Sequence, residues 1–209
     1  MSNEDVPGAQ KSPVDRLLEI SSPALAGDEG GGSGELGELL RRRNGFYAFL
    51  GALHVFPTGA SGEEISQAEW NVDDLWRSSY PDLGAEYTAF AEDVFGGQFL
   101  YSDSGVFQLE PETGELERIS VDIPGWCAAI LEDPEVLTGY PLAEEWQGRY
   151  GRLPIGKRLI PRKPFVLGGD FACENLMLVD SAESLRWRAE LAAQIRDVPD
   201  GGKIVLRYG

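Results

Sequence analysis

The single histidine of the chain, His54 in ALHVFP, is the first place to look for chemistry. One imidazole excludes zinc sites built on several histidines, and any Ser–His or Cys–His pairing has to use this residue. The two cysteines offer it little. Cys127 lies in the apolar run GWCAAIL, and neither Cys127 nor Cys173 has a sequence neighbour of the kind that activates a thiol. Carboxylates are abundant and often adjacent: Glu63 with Glu64, Asp73 with Asp74, Glu92 with Asp93, Glu132 with Asp133, Glu144 with Glu145. Glycoside hydrolysis sets two carboxylates about 5–10 Å apart across a cleft, whereas adjacent residues on a strand or helix point apart. No D-x-D-x-D-G calcium loop is present.

Two phosphate-site spellings fail on context. Gly32-Ser33-Gly34-Glu35-Leu36-Gly37 spells G-x-G-x-x-G, but a flexible linker rather than a strand precedes it. Asp28, Glu29 and Glu35 would also repel a pyrophosphate. The run from Gly151 to Arg158 nearly spells a P-loop. Arg158 stands where magnesium needs a hydroxyl, Pro154 removes a cradle donor, and Pro161 blocks the helix that should follow. What is left is a basic loop able to pack against acidic residues. No catalytic, cofactor or metal site is therefore assigned from the sequence.

The elements that would position these residues read as follows. Residues 1–34 are taken as a flexible N-terminal segment with one short helix, VDRLLEI, before the glycine-rich stretch Ser21 to Gly34. Residues 35–209 form the domain. ELGELLRRR puts Leu36, Leu39 and Leu40 on one helical face, and Asn44-Gly45 ends it. FYAFLGALHVFP predicts two short buried strands or one bulged strand. Glu63 to Tyr80 is helical in outline, with Ile65, Ala68, Val72, Leu75 and Trp76 as its stripe. Gln98–Tyr101, Val106–Leu109 and Leu116–Val121 are three strands, turning at Asp103-Ser104-Gly105 and Pro111-Glu112-Thr113-Gly114. GWCAAILEDPEVL is a helix broken near Pro134, Gly148 to Phe165 a basic loop, and FVLGGDF and ENLMLVD further strands. Ser181 to Asp197 is the strongest helix, with Ser181 or Ser184 as cap and Leu185, Ala189, Ala192 and Ile195 inward. KIVLRY closes the chain as a strand. The tryptophans fall mostly on apolar stripes, which assigns them to the core rather than to a carbohydrate surface. The class is α+β, a mainly antiparallel sheet flanked by helices.

Charge narrows the partners. The 209 residues carry a net charge of −17. From Glu63 to Glu145 there are 20 acidic residues against two basic ones, Arg77 and Arg118, while the remainder is nearly neutral. Such a chain is repelled by nucleic acid and anionic lipid and attracts basic partners. The polar start MSNEDVPGAQKSP has no apolar core of a secretion signal, and no apolar run approaches the ~20 residues needed to span a membrane. Together with two cysteines read as reduced, this predicts a cytoplasmic protein.

The combination NGFYAFLGALHVFP, then FAEDVFGGQF from Phe90 to Phe99, a hairpin, and the turn Glu110-Pro111-Glu112-Thr113-Gly114-Glu115 resembles the SUKH superfamily (the Smi–Knr family). The resemblance is clear over roughly Leu36 to Val136; from LPIGKRL onward it looks like one bacterial branch. It implies a single SUKH-like domain without catalysis or cofactor. In bacteria it implies an immunity protein that binds a cognate polymorphic toxin, nuclease- or deaminase-like. The competing readings are a regulatory scaffold without a toxin and a carboxylate-based hydrolase. Asp93, Phe95, Gly96, Gln98 and Phe99 match the family motif and are assigned to the fold. The toxin that the resemblance implies would be a basic one, in agreement with the acidic charge, with Asp73, Asp74, Glu110, Glu112, Glu115 and Glu117 as candidate contacts.

Overall fold

The computed structural model describes residues 11–27, 31–59, 62–196 and 198. Its elements run α1 (Pro13–Glu19), α2 (Gly34–Arg42), β1 (Phe46–Ala48), β2 (Leu53–Val55), α3 (Gln67–Trp70), β3 (Thr88–Glu92), β4 (Gln98–Ser102), β5 (Gly105–Leu109), β6 (Leu116–Ser120), α4 (Ile123–Glu132), α5 (Pro134–Thr138), α6 (Tyr140–Tyr150), β7 (Lys157–Pro161), β8 (Leu176–Asp180) and α7 (Ser181–Ile195). β1 to β6 form one antiparallel meander in sequence order, and β7 pairs with β8 in a small second sheet. The chain is α+β.

Strand alternation divides the large sheet's side chains between two cores. Phe99 and Val106 join Phe46, Phe90 and Trp126 in a core built with α1, α2 and α4. Their strand neighbours Leu100 and Phe107 join Trp70, Trp76, Tyr80 and Leu185 in a core built with α3 and α7. A register shift between Ala89 and Ala91 lets Phe90 and Ala91, adjacent residues, enter the same core. A third cluster, around Val94, Ala143, Trp146, Leu159 and Leu176, seats α6 against the small sheet.

Five expectations change. Residues 12–27 are not a free tether: Ser12 and Asp15 form a capping box, Leu17 and Leu18 are buried in the first core, and Ser22 N donates to Tyr47 O. Residues 63–80 hold only the four-residue α3 and one 3-10 turn. The Asn71 side chain accepts from Ala89 N and donates to Ala89 O and Gln67 O. It fastens the chain to β3 at that point, and Ala68 and Val72 face solvent. The basic stretch after Gly148 contains the end of α6 and the whole of β7, in which Arg158, Leu159 and Ile160 are consecutively buried. FVLGGDF is a 3-10 turn ending at left-handed Gly168, and Asp180 rather than a serine caps α7. KIVLRY lies outside the described residues.

Candidate functional site

Two polar constellations stand out, one closed and one open. The closed one centres on Glu92, at the end of β3. Its Oε1 lies 3.2 Å from His54 Nδ1 and 2.7 Å from Arg158 Nη2, and its Oε2 accepts from Ser181 Oγ at 2.5 Å. Gln98, which accepts from Trp70 Nε1 at 2.7 Å, extends the cluster to β4. Burial pushes the Glu92 carboxyl up, but the Arg158 guanidinium and the bond from His54 outweigh it and hold the pKa down to about 2. Burial lowers the His54 pKa, so at neutral pH the ring is uncharged and donates a hydrogen bond to the carboxylate. Tyr47 stacks on the ring at 4.4 Å and donates to Glu64. Histidine, serine and carboxylate do meet here, but Ser181 donates to Glu92 rather than to the imidazole. That geometry lacks the nucleophile–base bond of a triad. The cluster ties β2, β3, β4, β7 and α7 together.

The open constellation is a groove of about 1180 Å³ between the Asp93–Gly97 turn, the β5–β6 end of the meander, α5 and the start of α6, and the segment Phe165 to Phe171. The turn is shaped by Asp93. Its Oδ1 accepts from Phe95 N at 2.7 Å and Gly97 N at 2.9 Å, and its Oδ2 from Gln108 Nε2 at 3.1 Å. Burial, with the Glu110 charge second, raises the Asp93 pKa to about 7 despite those bonds. Gly96 is left-handed, and a Cβ there would stand 2.6 Å from Arg188 Nη2. Arg188 reaches up from α7 to donate to Phe95 O and Ser184 Oγ.

Aromatic rings form the groove's apolar part. Phe165 and Phe171 stack at 4.0 Å with 6° between planes, and Phe95 meets both edge-on. Phe171 remains 68% exposed and Val136 73%. Around them stand Glu110, Glu115, Glu117, Glu135 and Glu145. Glu145 is neutralised by Arg149. Among the described residues the other four have no ion-pair partner, and Arg118 is turned to the carbonyl of Ser104.

No family model and no curated protein matches the chain. Among solved structures, the crystal structure of Atu4351 from Agrobacterium tumefaciens is similar to it. The identity is 12%, the match covers 73% of this chain and 72% of that one, and the TM-score is 0.47. Among the described residues no group of three or more His, Cys, Asp or Glu is placed to hold a metal ion, and no helix is long and apolar enough to cross a membrane.

The groove gathers three of the six candidate contacts, Glu110, Glu115 and Glu117. Asp73 and Asp74 are exposed elsewhere, after α3, where Asp73 pairs with Arg77. Glu112 has to be corrected: it is 2% exposed and its Oε2 accepts from Val166 N, so it staples the 165–167 turn to the meander instead of facing a partner. Among the motif residues, Phe99 and Gln98 are fully buried, Asp93 and Gly96 form the turn, and Phe95 lines the groove. Sequence reading missed Phe165, Phe171, Val136 and Arg188. For Arg188 a signal existed: it recurs at helical spacing with the inward Ser184, Leu185 and Ala192. The aromatics carried none, because their partners lie about 70 positions upstream.

Proposed function

We propose that this chain is a SUKH-type, non-enzymatic protein-binding domain, an immunity protein that acts in the cytoplasm and neutralises a basic toxin of nuclease or deaminase type. The observation that carries the reading is the groove: four carboxylates that have no ion-pair partner among the described residues surround the exposed Phe171, which stacks on the partly buried Phe165. Enzymes that handle nucleic acid present Lys and Arg along the path of the phosphates. Their attraction to the −18 segment, Glu63 to Glu145, speeds encounter, while burial of Phe171 and Val136 slows release. The sequence resemblance to bacterial SUKH proteins supports the same reading.

Co-expression tests it. A toxic, basic protein encoded beside this chain should kill a host when expressed alone and spare it when this chain is present. The E110K/E115K/E117K variant, all three positions being exposed, should fold and fail to protect. Protection that survives the triple reversal would remove the groove from the account.

A further inference from the structure

The large sheet has two edges, β1 and β6, and the chain covers one of them. Along β1, Ser22 N donates to Tyr47 O and Tyr47 N donates to Ser22 Oγ, so both outward backbone groups of Tyr47 are satisfied. β6 has no such cover among the described residues. At its start Glu110 N donates to Glu115 O. Hydrogen-bonded pairs alternate along an antiparallel ladder, so Gln108 and Glu117 form the next one. Leu116 and Arg118 therefore aim their N–H and C=O groups out of the sheet, and no backbone group among the described residues meets them. Glu117 and Arg118 are exposed, and the space beside this edge is the acidic groove, which Leu116, Glu117 and Arg118 all line. An uncovered strand edge is a template for an incoming strand.

The register selects the strand that fits. Glu117 pairs with Gln108, whose amide donates to Asp93 in the groove, so Glu117 stands on the groove face with Glu110 and Glu115. Leu116 pairs with Leu109 and stands on the opposite face, against the second core, where it lines a small recess with Leu83 and Ala193. A strand added to β6 sets its residues alternately beside Glu117 and beside Leu116. In that new pairing Glu117 is a non-hydrogen-bonded site, where facing side chains approach most closely. We propose that β6 takes an extended segment of alternating basic and apolar residues as a seventh strand, its basic side chains on Glu115 and Glu117 and its apolar ones on Leu116. This rests on the groove being the toxin-binding face and gives the mode of capture: the partner is held by its backbone as well as by its charge. A second copy of this chain is the wrong occupant, because pairing two β6 strands brings two sets of Glu110, Glu115 and Glu117 onto one face. The register shift between Val106 and Phe107 ends the regular part of the edge after Arg118, so the added ladder is short.

The test titrates the isotopically labelled full chain with an end-blocked heptapeptide of alternating lysine and valine, lysine at both ends, and follows amide NMR shifts. Saturable shifts should centre on Leu116, Glu117 and Arg118. Two further probes carry N-methyl groups, one on the valines alone and one on the lysines alone. The valines sit opposite Leu116 and Arg118 and donate to β6, whereas the lysine N–H groups point away from it. Methylated valines should therefore weaken binding at least about tenfold, and methylated lysines by less than about twofold. The three peptides carry the same charge, so attraction without strand pairing would treat them alike. Glu117→Lys, at an exposed position, should weaken the parent peptide about tenfold. Equal loss from the two methylation patterns, shifts that avoid β6, or a free chain already dimeric through β6 would overturn the proposal. Protection against a toxin that persists beside such a result leaves the function standing without the added strand. The ordered methylation effect, with no toxin neutralised, removes the function and keeps the edge.

Discussion

Glu92 and Asp93 are neighbours in the chain, and strand geometry sends their side chains apart. Glu92 turns toward Arg158 and His54 and its pKa falls to about 2; Asp93 turns into the groove floor, where burial and Glu110 raise its pKa to about 7. The pair was legible as two carboxylates, but their separate fates were not, since Arg158 lies 66 positions from Glu92 and was read as part of a loop. Two predictions follow from these environments. Arg158→Met strands the Glu92 charge and should cost ~3–5 kcal/mol in urea unfolding, with Glu92→Gln added in the same chain recovering part of it. A loss below 1 kcal/mol would mean the pair contributes little. For Asp93 the folded pKa lies above the unfolded value, so its contribution is full below pH 3.8 and is lost as pH rises through about 7. Glu92 and His54 have the opposite sign: their contributions are present above their ordinary values, 4.5 and 6.5, and are lost on acidification. Asp93→Asn should therefore gain stability relative to wild type as pH rises from about 4 to 7, by up to ~1.4 kcal/mol per pH unit, and hold a constant offset above that. A constant offset across the whole range would contradict the raised pKa.

At the scale of elements, the meander was the readable part. β4, β5 and β6 sit where alternation and turn residues put them, because hairpins are local and Asp103-Ser104-Gly105 needs no distant partner. Elements failed where tertiary contacts overrode local pattern. The stripe from Ile65 to Trp76 looks helical, but Asn71 binds the β3 backbone and Trp70 and Trp76 turn into the second core. β7 was hidden because a buried arginine breaks the apolar run that marks a strand. α1 was found as a helix but read as part of a tether, since two leucines in seven residues do not reveal that α4 covers them. Leu17→Ala should then destabilise the domain by ~2–5 kcal/mol, as a core truncation does. Thermal or urea unfolding indistinguishable from wild type would return α1 to the status of a tail.

For the whole molecule, the uneven charge was the sequence's clearest functional signal, and folding concentrates part of it. The −18 of residues 63–145 is spread over several faces, yet Glu110, Glu115, Glu117 and Glu135 come together around Phe171. Composition shows the charge but not the face, because α6 and the 165–171 segment reach the groove through the third core rather than through adjacent sequence. The decisive measurement is capture by immobilised full-length chain, wild type beside E110K/E115K/E117K and Phe171→Ala, from lysate of the organism that makes it, with low- and high-salt washes. The account predicts one basic polypeptide held by wild type through high salt, lost from the triple variant, and released in the high-salt wash by Phe171→Ala. The same polypeptides on all three baits, or none on wild type, would contradict it.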